Sequence, residues 1–237
     1  MTTTSVTVQR MSEYSGTENL EVMAEAVNYN AFLVSLIRNE ARSGEVVLDF
    51  GAGIGTFAKA LAPDGHQVLC IEPDQRQRER IVQAGLPAFA DISCLSDQSV
   101  DLLYSLNVLE HIEDDVAVLQ SCHEKIRPGG RILIYVPAFQ ILFSSMDKHV
   151  GHWRRYSRRG LSDKVRQAGF EVVKCEYVDS AGFLASLLFK AFGNDSGSLN
   201  RSALIAYDRF VFPLSRLADR LLHRIVGKNV WLIARRA

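Results

Sequence analysis

The chain carries two hydrophobic periodicities. From Leu20 to Ile37 apolar residues recur every third or fourth position, which predicts an amphipathic helix. Beyond Ser43-Gly44, short apolar runs alternate with helix-like segments. The runs predicted as strands one to five are EVVLDF, HQVLCIE, PAFA, VDLLYSLN and RILIYVPA. The helices predicted between them are TFAKALA, DQRQRERIVQAG and DDVAVLQSCHEKI, with RPGG as a tight turn before strand five.

This alternation of apolar strands and helices predicts a parallel sheet that is covered on both faces. Right-handed crossovers then produce a doubly wound α/β fold. In such sheets ligands bind at the carboxyl ends of the strands, near the point where strand order reverses. The glycine-rich turn after strand one, residues 51–55, is predicted to lie at that point.

The last third of the chain adds two strands and a helical insertion. SRRGLSDKVRQAGF is predicted as a helix that Ser157 caps and Gly169 closes. FEVVKCEYVD and NVWLIARRA are predicted as strands six and seven. Residues 180–228 between them are mostly apolar and helical, with a polar break at GNDSGSLN. Earlier in the chain, the acidic run Glu113 to Asp115 is predicted to begin a helix, where the dipole favours negative charge.

Within the insertion, LSRLADRLLHRIV has an apolar face and a basic face. This pattern is typical of a helix that lies on a membrane or covers a lipid-like acceptor, and an ordinary lid helix packed on the domain shows it too. The sequence leaves these alternatives open. The apolar face consists of Leu214, Leu217, Ala218, Leu221, Leu222 and Ile225, and the basic face of Arg216, Arg220, His223 and Arg224.

Composition narrows the class of protein. The formal net charge of the 237 residues is +0, which argues against general nucleic-acid binding. None of the four cysteines is part of a C-x-x-C pair, so neither a metal site nor a redox pair is predicted. The polar start MTTTSVTVQR does not have the layout of a signal peptide, and no apolar run approaches the roughly 20 residues of a membrane span. A reducing cytoplasm is the expected setting.

The stretch VLDFGAGIGTFAKAL, residues 46–60, fits two ligands. Read from Gly53, it matches the dinucleotide pattern G-x-G-x-x-A. Read with Asp49 and Gly51, it favours a cationic guest, because a carboxylate beside the loop would repel a pyrophosphate and attract the ammonium and sulfonium of S-adenosylmethionine (SAM). Asp49 as a simple helix cap, and the glycines as a simple tight turn, are the structural alternatives.

Two further acids follow predicted strands. Glu72 ends strand two, where a carboxylate accepts hydrogen bonds from the ribose diol of either NAD or SAM. Asp91 ends strand three, where it would accept from an adenine amino group while Ile92 packs on the ring. Glu72 as a solvated strand end and Asp91 as a turn cap are the corresponding structural alternatives.

In order and spacing, these pieces resemble class I SAM-dependent methyltransferases of type 11/12. The matching segments cover residues 29–178: NYN, VLDFGAGIGTFAKAL, IEPD, ADIS, VDLLYSLNVLEHIEDD, LQSCHEKIRPGGRILIYVPA and VGHWRRYSRRGLSDKVRQAGF. The resemblance implies a seven-stranded, mostly parallel Rossmann-like sheet, with the last strand antiparallel and inserted beside the fifth. It also implies SAM as cofactor and S-adenosylhomocysteine (SAH) as product. No metal site is predicted. The implied cofactor-binding residues are Asp49, Gly51, Ala52, Gly53, Gly55, Glu72, Pro73, Asp91, Ile92 and Asn107.

The catalytic and acceptor-binding residues are sought near the acceptor. His111 is a candidate base, or a structural histidine held by a backbone carbonyl. His149 and His152 are further catalytic candidates in the segment MDKHVGHWRRYSRRG, where the family places an acceptor-covering insertion. Arginine pairs in that segment either hold a carboxylate or phosphate of the acceptor or clamp the sheet's acidic residues. The substrate candidates are Tyr29, Arg154, Arg155 and Tyr156.

The sequence therefore predicts an N-terminal helical segment or lid at 1–40 and a methyltransferase domain at 41–237, with 139–160 and 180–228 covering the acceptor. The expected acceptor is a small molecule or a lipid-like molecule, methylated by direct in-line displacement. The expected assembly is a monomer or homodimer, with peripheral membrane contact through the basic helix and no nucleic-acid partner. An NAD(P)-dependent oxidoreductase and a non-catalytic methyltransferase-like binding subunit are the alternatives.

Overall fold

A single seven-stranded sheet forms the centre of the protein. The structure, a computed structural model, describes residues 17–192 and 201–237, so the predicted polar start 1–16 and the predicted break at 193–200 lie outside the described residues. The strands are β1 Val46–Phe50, β2 Gln67–Ile71, β3 Ala88–Phe89, β4 Val100–Leu106, β5 Ile126–Pro137, β6 Phe170–Val178 and β7 Asn229–Arg236. Their order is β3-β2-β1-β4-β5-β7-β6, and β7 runs antiparallel to both its neighbours. The predicted fold, including the position of the last strand, is confirmed.

Ten α-helices lie in the described ranges. They are α1 Thr17–Ala24, α2 Val27–Glu40, α3 Thr56–Leu61, α4 Gln75–Gln83, α5 Asp115–Lys125, α6 Ser145–His149, α7 Arg158–Gln167, α8 Ser180–Phe192, α9 Arg201–Ala206 and α10 Phe212–Leu222. Two predicted starts are confirmed: Asp114 caps α5 by accepting from the Ala117 N–H, and Ser157 caps α7 by accepting from the Gly160 N–H. In this described part of the chain, no helix combines the length and apolarity that crossing a bilayer requires.

The core lies on both faces of the sheet. Successive strand residues point to opposite sides, so Leu48 and Leu103 belong to one apolar cluster while Val47 and Leu102 belong to the other. The first cluster packs against α5 and α7, and the second packs against α2, α3 and α4. Burial on both faces explains why these strands are continuous apolar runs.

The single helix predicted from Leu20 to Ile37 is wrong, because the chain breaks between α1 and α2. The acceptors for the first N–H groups of α2 come from elsewhere in the fold: the Asp208 carboxylate accepts from the backbone N–H groups of Asn28 and Tyr29 at 2.9 and 2.8 Å. A cap from a residue about 180 positions away cannot be seen in local periodicity. The break leaves Val27, predicted on the apolar face, 70% exposed.

The tight turn predicted at RPGG is a bulge within β5. Val100 of β4 pairs with Ile126, whereas Leu102, two residues later, pairs with Arg131, so the extra residues of β5 loop out between the two pairs. Gly129 adopts a φ of +76°, which glycine tolerates without strain. The chain therefore enters β5 directly after α5.

In the helical insertion between β6 and β7, α10 is oriented differently from most amphipathic helices, whose apolar face is the buried one. α10 buries Phe212, Ser215 and Asp219, whereas Leu217 and Leu221 of its apolar face are exposed, Leu221 to 83%. α10 thus packs on the domain, as in the lid-helix alternative, but through these buried residues rather than through the predicted apolar face. Hydrogen bonds determine which face of α10 is buried: the Asp219 carboxylate accepts from the backbone N–H groups of Asp179 and Ser180, both at 2.9 Å.

Candidate active site

The backbone has an unusual conformation where the chain leaves the carboxyl ends of the parallel strands. Three non-glycine residues with positive φ follow consecutive strands there: Asn107 after β4, Phe139 after β5 and Asp179 after β6, with φ of 55°, 60° and 64°. Such conformations are costly for residues with a side chain and concentrate at functional sites. The geometry marks the same edge that the sequence predicts.

The glycine loop after β1 approaches this edge closely. Gly51 and Gly53 have φ of +82° and +55°, and a methyl group on Gly51 would overlap the side chain of Val108. The loop is held from beneath, because the N–H groups of Gly51 and Ala52 both donate to the Ile71 carbonyl of β2. The loop therefore presents backbone rather than side chains to a ligand.

Glu72 joins the loop to the end of β2. Its carboxylate accepts from the Gly53 N–H at 2.7 Å and from the Asp74 N–H at 2.9 Å, one bond on each oxygen. Each oxygen keeps a further lone pair, which is what a ribose diol requires. Burial raises the pKa of Glu72 to about 7. The side chain fits the ribose-binding role.

Asp49 lies behind the glycine loop rather than in the cavity wall. It is 2% exposed, it accepts from the Ala58 N–H in the first turn of α3, and its Oδ2 atom has no hydrogen-bond partner among the described residues. Burial, and further the nearby Glu72 carboxylate, raise the pKa of Asp49 to about 7. The two acids thus form a buried pair that a cationic guest would stabilise in the ionised form.

Asp91 and Ile92 follow β3 as the sequence predicts. The Asp91 carboxylate caps a short turn by accepting from the Ser93 N–H at 2.8 Å, which is the structural alternative named for it. Both residues nevertheless line the same cavity as the glycine loop. Asp91 therefore caps the turn and is also placed where it can bind an adenine.

One cavity of about 2080 Å³ joins these features. A single drug-sized ligand usually occupies about 300–1000 Å³, so the space accommodates a cofactor together with a second molecule. Seven of the ten residues implied for cofactor binding line it, while Asp49, Ala52 and Gly55 lie outside its wall. The seven are Gly51, Gly53, Glu72, Pro73, Asp91, Ile92 and Asn107.

The wall of the same cavity also contains four of the residues predicted for catalysis or substrate binding: Tyr29, His111, His152 and Arg155. Burial lowers the pKa of His111 to about 4, with a further contribution from His152. Burial also raises the pKa of Tyr29 to about 12, while Tyr135 and Asn107 hydrogen bond with it and oppose the shift. At neutral pH both groups are therefore uncharged.

Asp147 organises the segment that carries His152 and Arg155. Its buried carboxylate accepts from His152 Nδ1 at 2.7 Å and from Arg155 Nε and Nη2 at 2.8 and 3.0 Å. Burial by itself would raise the pKa of Asp147, but these hydrogen bonds hold it well below its usual value. The bidentate arginine is thus committed to Asp147 rather than free to bind an anion.

Arg154, Tyr156 and His149 do not line the cavity. Arg154 and the Tyr156 hydroxyl both bind the buried Asp115 Oδ2 atom, at 2.9 and 2.8 Å. They clamp the segment to the start of α5, which is the structural alternative the sequence left open. His149 is exposed at the end of α6.

Besides Asp147, the sequence reasoning missed the cavity residues Glu110 and Lys228. Glu110 is fully buried, and burial raises its pKa to about 8. Its position directly before His111, just after a strand end, was the available signal. Lys228 lines the cavity immediately before β7. The antiparallel direction of β7 brings its start to the carboxyl edge, so the implied topology contained that signal.

The family comparison matches the region that builds this site. The model of a family described as "Methyltransferase domain" matches residues 18–175, which is more than half of the chain.

Curated relatives match part of the chain. A "Ubiquinone biosynthesis O-methyltransferase" of Idiomarina loihiensis is 30% identical over 122 residues, covering 46% of this chain and 46% of the relative. A "Probable S-adenosylmethionine-dependent methyltransferase" of Mycolicibacterium smegmatis is 30% identical over 139 residues, covering 55% of this chain and 53% of the relative. The chain thus spans about half the length of these relatives.

Among solved structures, the chain is similar to Haemonchus contortus phosphoethanolamine N-methyltransferase 2 in complex with phosphomonomethylethanolamine and SAH. The TM-score is 0.63 at 17% identity, covering 94% of this chain and 58% of that chain. At this identity the likeness establishes the fold alone.

Proposed function

The chain belongs to the methyltransferase-domain family of SAM-dependent enzymes, and from that membership we propose that it transfers a methyl group from SAM to a hydroxyl group of a small organic acceptor. The observation that carries the proposal is the single cavity of about 2080 Å³, which runs from the glycine loop to His111 and His152. The O-methyltransferase named among the relatives supports a hydroxyl acceptor.

In the cofactor half, each group has a task that its position supports. Glu72 accepts from the ribose hydroxyls with its remaining lone pairs, Ile92 packs on the adenine, and the loop at Gly51 and Gly53 lies along the methionine portion. Asp49 acts through its charge from behind the loop. SAM, when bound, supplies a methyl group activated by its attachment to a sulfonium centre.

In the acceptor half, the chain orients the acceptor and excludes water. Tyr29 and Asn107 lie at the junction of the two halves and position the reacting hydroxyl, while His111 and His152 face it. Alignment of the attacking oxygen with the bond that breaks is the main contribution a protein makes to such a transfer. Residues 139–160 and the described residues of 180–228 cover this half, since both segments supply wall residues.

The outer face of the insertion carries the proposed membrane contact. Leu214, Leu217, Leu221 and Ile225 are exposed along one side of α10 and the turn after it, and the exposed Arg220 and Arg224 lie beside them. An apolar stripe with adjacent cations matches an anionic lipid surface. Such a contact would bring the cavity near amphipathic acceptors.

The first experiment is calorimetric titration of the purified chain with SAM and SAH. We expect both to bind, and we expect Glu72→Ala to weaken binding about 10- to 150-fold, because charge-assisted hydrogen bonds contribute about 1.5–3 kcal/mol. Glu79→Ala removes an exposed acid from the neighbouring α4 and is the matched control, with affinity unchanged.

Three outcomes would contradict the proposal. Absence of SAM and SAH binding would exclude the cofactor. Enhancement of NADH fluorescence with micromolar affinity would favour the oxidoreductase alternative. Binding of SAM without transfer of a labelled methyl group to any of a broad panel of phenols, catechols and alcohols would favour the non-catalytic alternative.

A further inference from the structure

We propose that Glu110, His111 and His152 form a binding site for a divalent transition-metal ion of the class that Zn²⁺ represents. One carboxylate oxygen and one ring nitrogen from each histidine all lie within 4.8 Å of one another. Glu110 and His111 belong to the turn after β4, and His152 belongs to the segment after α6. The three side chains line the acceptor half of the cavity.

Glu110 gives the strongest indication of a cation. Its side chain is fully buried, and neither carboxylate oxygen has a hydrogen-bond partner among the described residues. His152 Nε2 lies 3.9 Å from Glu110 Oε1, which is beyond hydrogen-bond distance. A buried carboxylate without partners is costly, and coordination to a metal ion satisfies it.

The two histidines are oriented as metal ligands usually are. Histidine ligands generally use their second ring nitrogen to contact a carboxylate or a backbone carbonyl. His152 Nδ1 lies 2.7 Å from Asp147 Oδ1, which leaves Nε2 directed toward Glu110. The ring of His111 is hydrogen-bonded to the backbone at Val150 and Gly151. The supporting contacts of both ligands are therefore already built.

The size and composition of the cluster select the class of ion. Ligand atoms about 2.0–2.2 Å from a common ion lie about 3–3.6 Å apart. The Nε2–Oε1 pair at 3.9 Å is close to that range, and the other separations, which reach up to 4.8 Å, must close by about 1 Å when the ion binds. Two imidazoles and one carboxylate suit Zn²⁺, Fe²⁺, Co²⁺ or Mn²⁺ better than Mg²⁺ or Ca²⁺, which take mainly oxygen ligands. Three protein ligands leave at least one coordination position open to the cavity.

The role of that open position rests on the proposed function. A hydroxyl oxygen of the acceptor bound there would lose its proton near neutral pH, since a metal ion lowers the pKa of a bound oxygen strongly. The deprotonated oxygen is the better nucleophile for a methyl group. Metal binding itself does not depend on this role and is tested separately.

The test uses the full chain without an affinity tag, stripped with EDTA and dialysed. Calorimetry with ZnCl₂ and metal analysis after gel filtration measure stoichiometry, and Co²⁺ substitution reports the ligand field by visible absorption. We expect one Zn²⁺ per chain and a Co²⁺ spectrum typical of four or five ligands. Glu110→Gln should weaken Zn²⁺ binding more than 100-fold, and Asp147→Asn, which keeps all three ligands, about 10- to 100-fold.

His149→Ala is the matched control, because His149 lies on the same segment, exposed and outside the cluster, and it should bind Zn²⁺ as the wild type does. Retained SAH binding by each variant shows that it is folded. Loss of SAH binding in the wild type would count against the proposed function and leave the metal result standing. Wild-type protein without stoichiometric Zn²⁺, or affinity unchanged in Glu110→Gln, overturns the metal site.

Discussion

The sheet buries its apolar side chains, whereas the helical insertion exposes many of its own. In the sheet, Leu102 and Leu103 of β4 are fully buried against helices on either side. In the insertion, α10 turns Ser215 and Asp219 inward and leaves Leu214, Leu217 and Leu221 in solvent. Of the fifteen large apolar side chains that are exposed in the described residues, ten lie between residues 180 and 228.

The difference shows that the two regions are held by different forces. Apolar burial on two faces stabilises the sheet. The insertion is attached through carboxylates that cap helix starts: Asp219 accepts from the N–H groups at the start of α8, and Asp208 accepts from those at the start of α2. Attachment by polar anchors leaves the apolar surface of the insertion available to a partner.

The largest expected effect compares two leucines. Leu103→Ala should lower the free energy of unfolding by about 2–5 kcal/mol, because it removes a fully buried side chain and leaves a cavity. Leu221→Ala, in a residue that is 83% exposed, should change it by less than about 0.5 kcal/mol. Urea unfolding measures both. Similar losses for the two variants would mean that α10 is packed against another part of the protein in solution.

The next effect concerns the polar anchor. Asp219→Ala leaves the N–H groups of Asp179 and Ser180 buried without an acceptor, so it should cost about 1–3 kcal/mol per group left unpaired. Hydrogen exchange should accelerate in α8 and α10 before it does in the sheet. Asp163→Ala, which removes an exposed acid on α7, is the control. Uniform acceleration across the sheet would contradict the separation of the two regions.

The cofactor edge should show a pH dependence of roughly tenfold. Asp49 and Glu72 have raised pKa values of about 7, so in the free protein both take up protons between pH 7 and pH 5.5. The cationic cofactor favours their ionised forms, and its affinity should rise about tenfold from pH 5.5 to pH 7. Without cofactor the sign is opposite: stability from these acids falls as pH rises from about 4 toward 7.

Calorimetry at the two pH values measures the affinity, and thermal melts measure the stability of the free protein. Asp49→Asn should make both profiles shallower, since the amide does not titrate while Glu72 still does. If the affinity for SAM decreased as the pH rises from 5.5 to 7, the ionised acid pair would not contribute to cofactor binding.

The smallest effect on stability is expected at the outer face of α10. Leu217→Ser combined with Leu221→Ser should change the free energy of unfolding by less than about 1 kcal/mol in total. Co-sedimentation with vesicles containing anionic lipid should nevertheless decrease, because the stripe supplies the apolar part of the contact. Vesicles of neutral lipid are the control for the arginines. Equal sedimentation of the wild type and the double variant would contradict the proposed membrane contact through α10.

Sequence patterns predicted the parts of this protein that depend on local order. The strands, their ligand edge and the glycine loop follow from periodicity and from residues close together in the chain. The helix break before α2 was missed because its cap, Asp208, lies about 180 positions away. The buried face of α10 was missed because it is set by the hydrogen bonds of Asp219 to backbone N–H groups. Hydrophobic periodicity considers only apolar residues and cannot detect such bonds.

The acceptor half was predictable only in fragments. His111 and His152 were each identified, but their contact, with ring centroids 4.6 Å apart, joins segments 41 residues apart. Asp147 was not singled out, although it fixes His152 and binds Arg155. Geometry of this kind depends on tertiary packing, which a single sequence does not encode in any short window.

The placement of β7 between β5 and β6 has a consequence for how the protein emerges from the ribosome. Among the strands that the structure describes, β7 is the only hydrogen-bonded neighbour of β6, although β7 is synthesised about fifty residues later. During that interval the edge of β5 is open to pairing with other nascent chains. Translation pauses or chaperone contacts within the stretch that encodes the insertion would therefore influence the yield of folded protein.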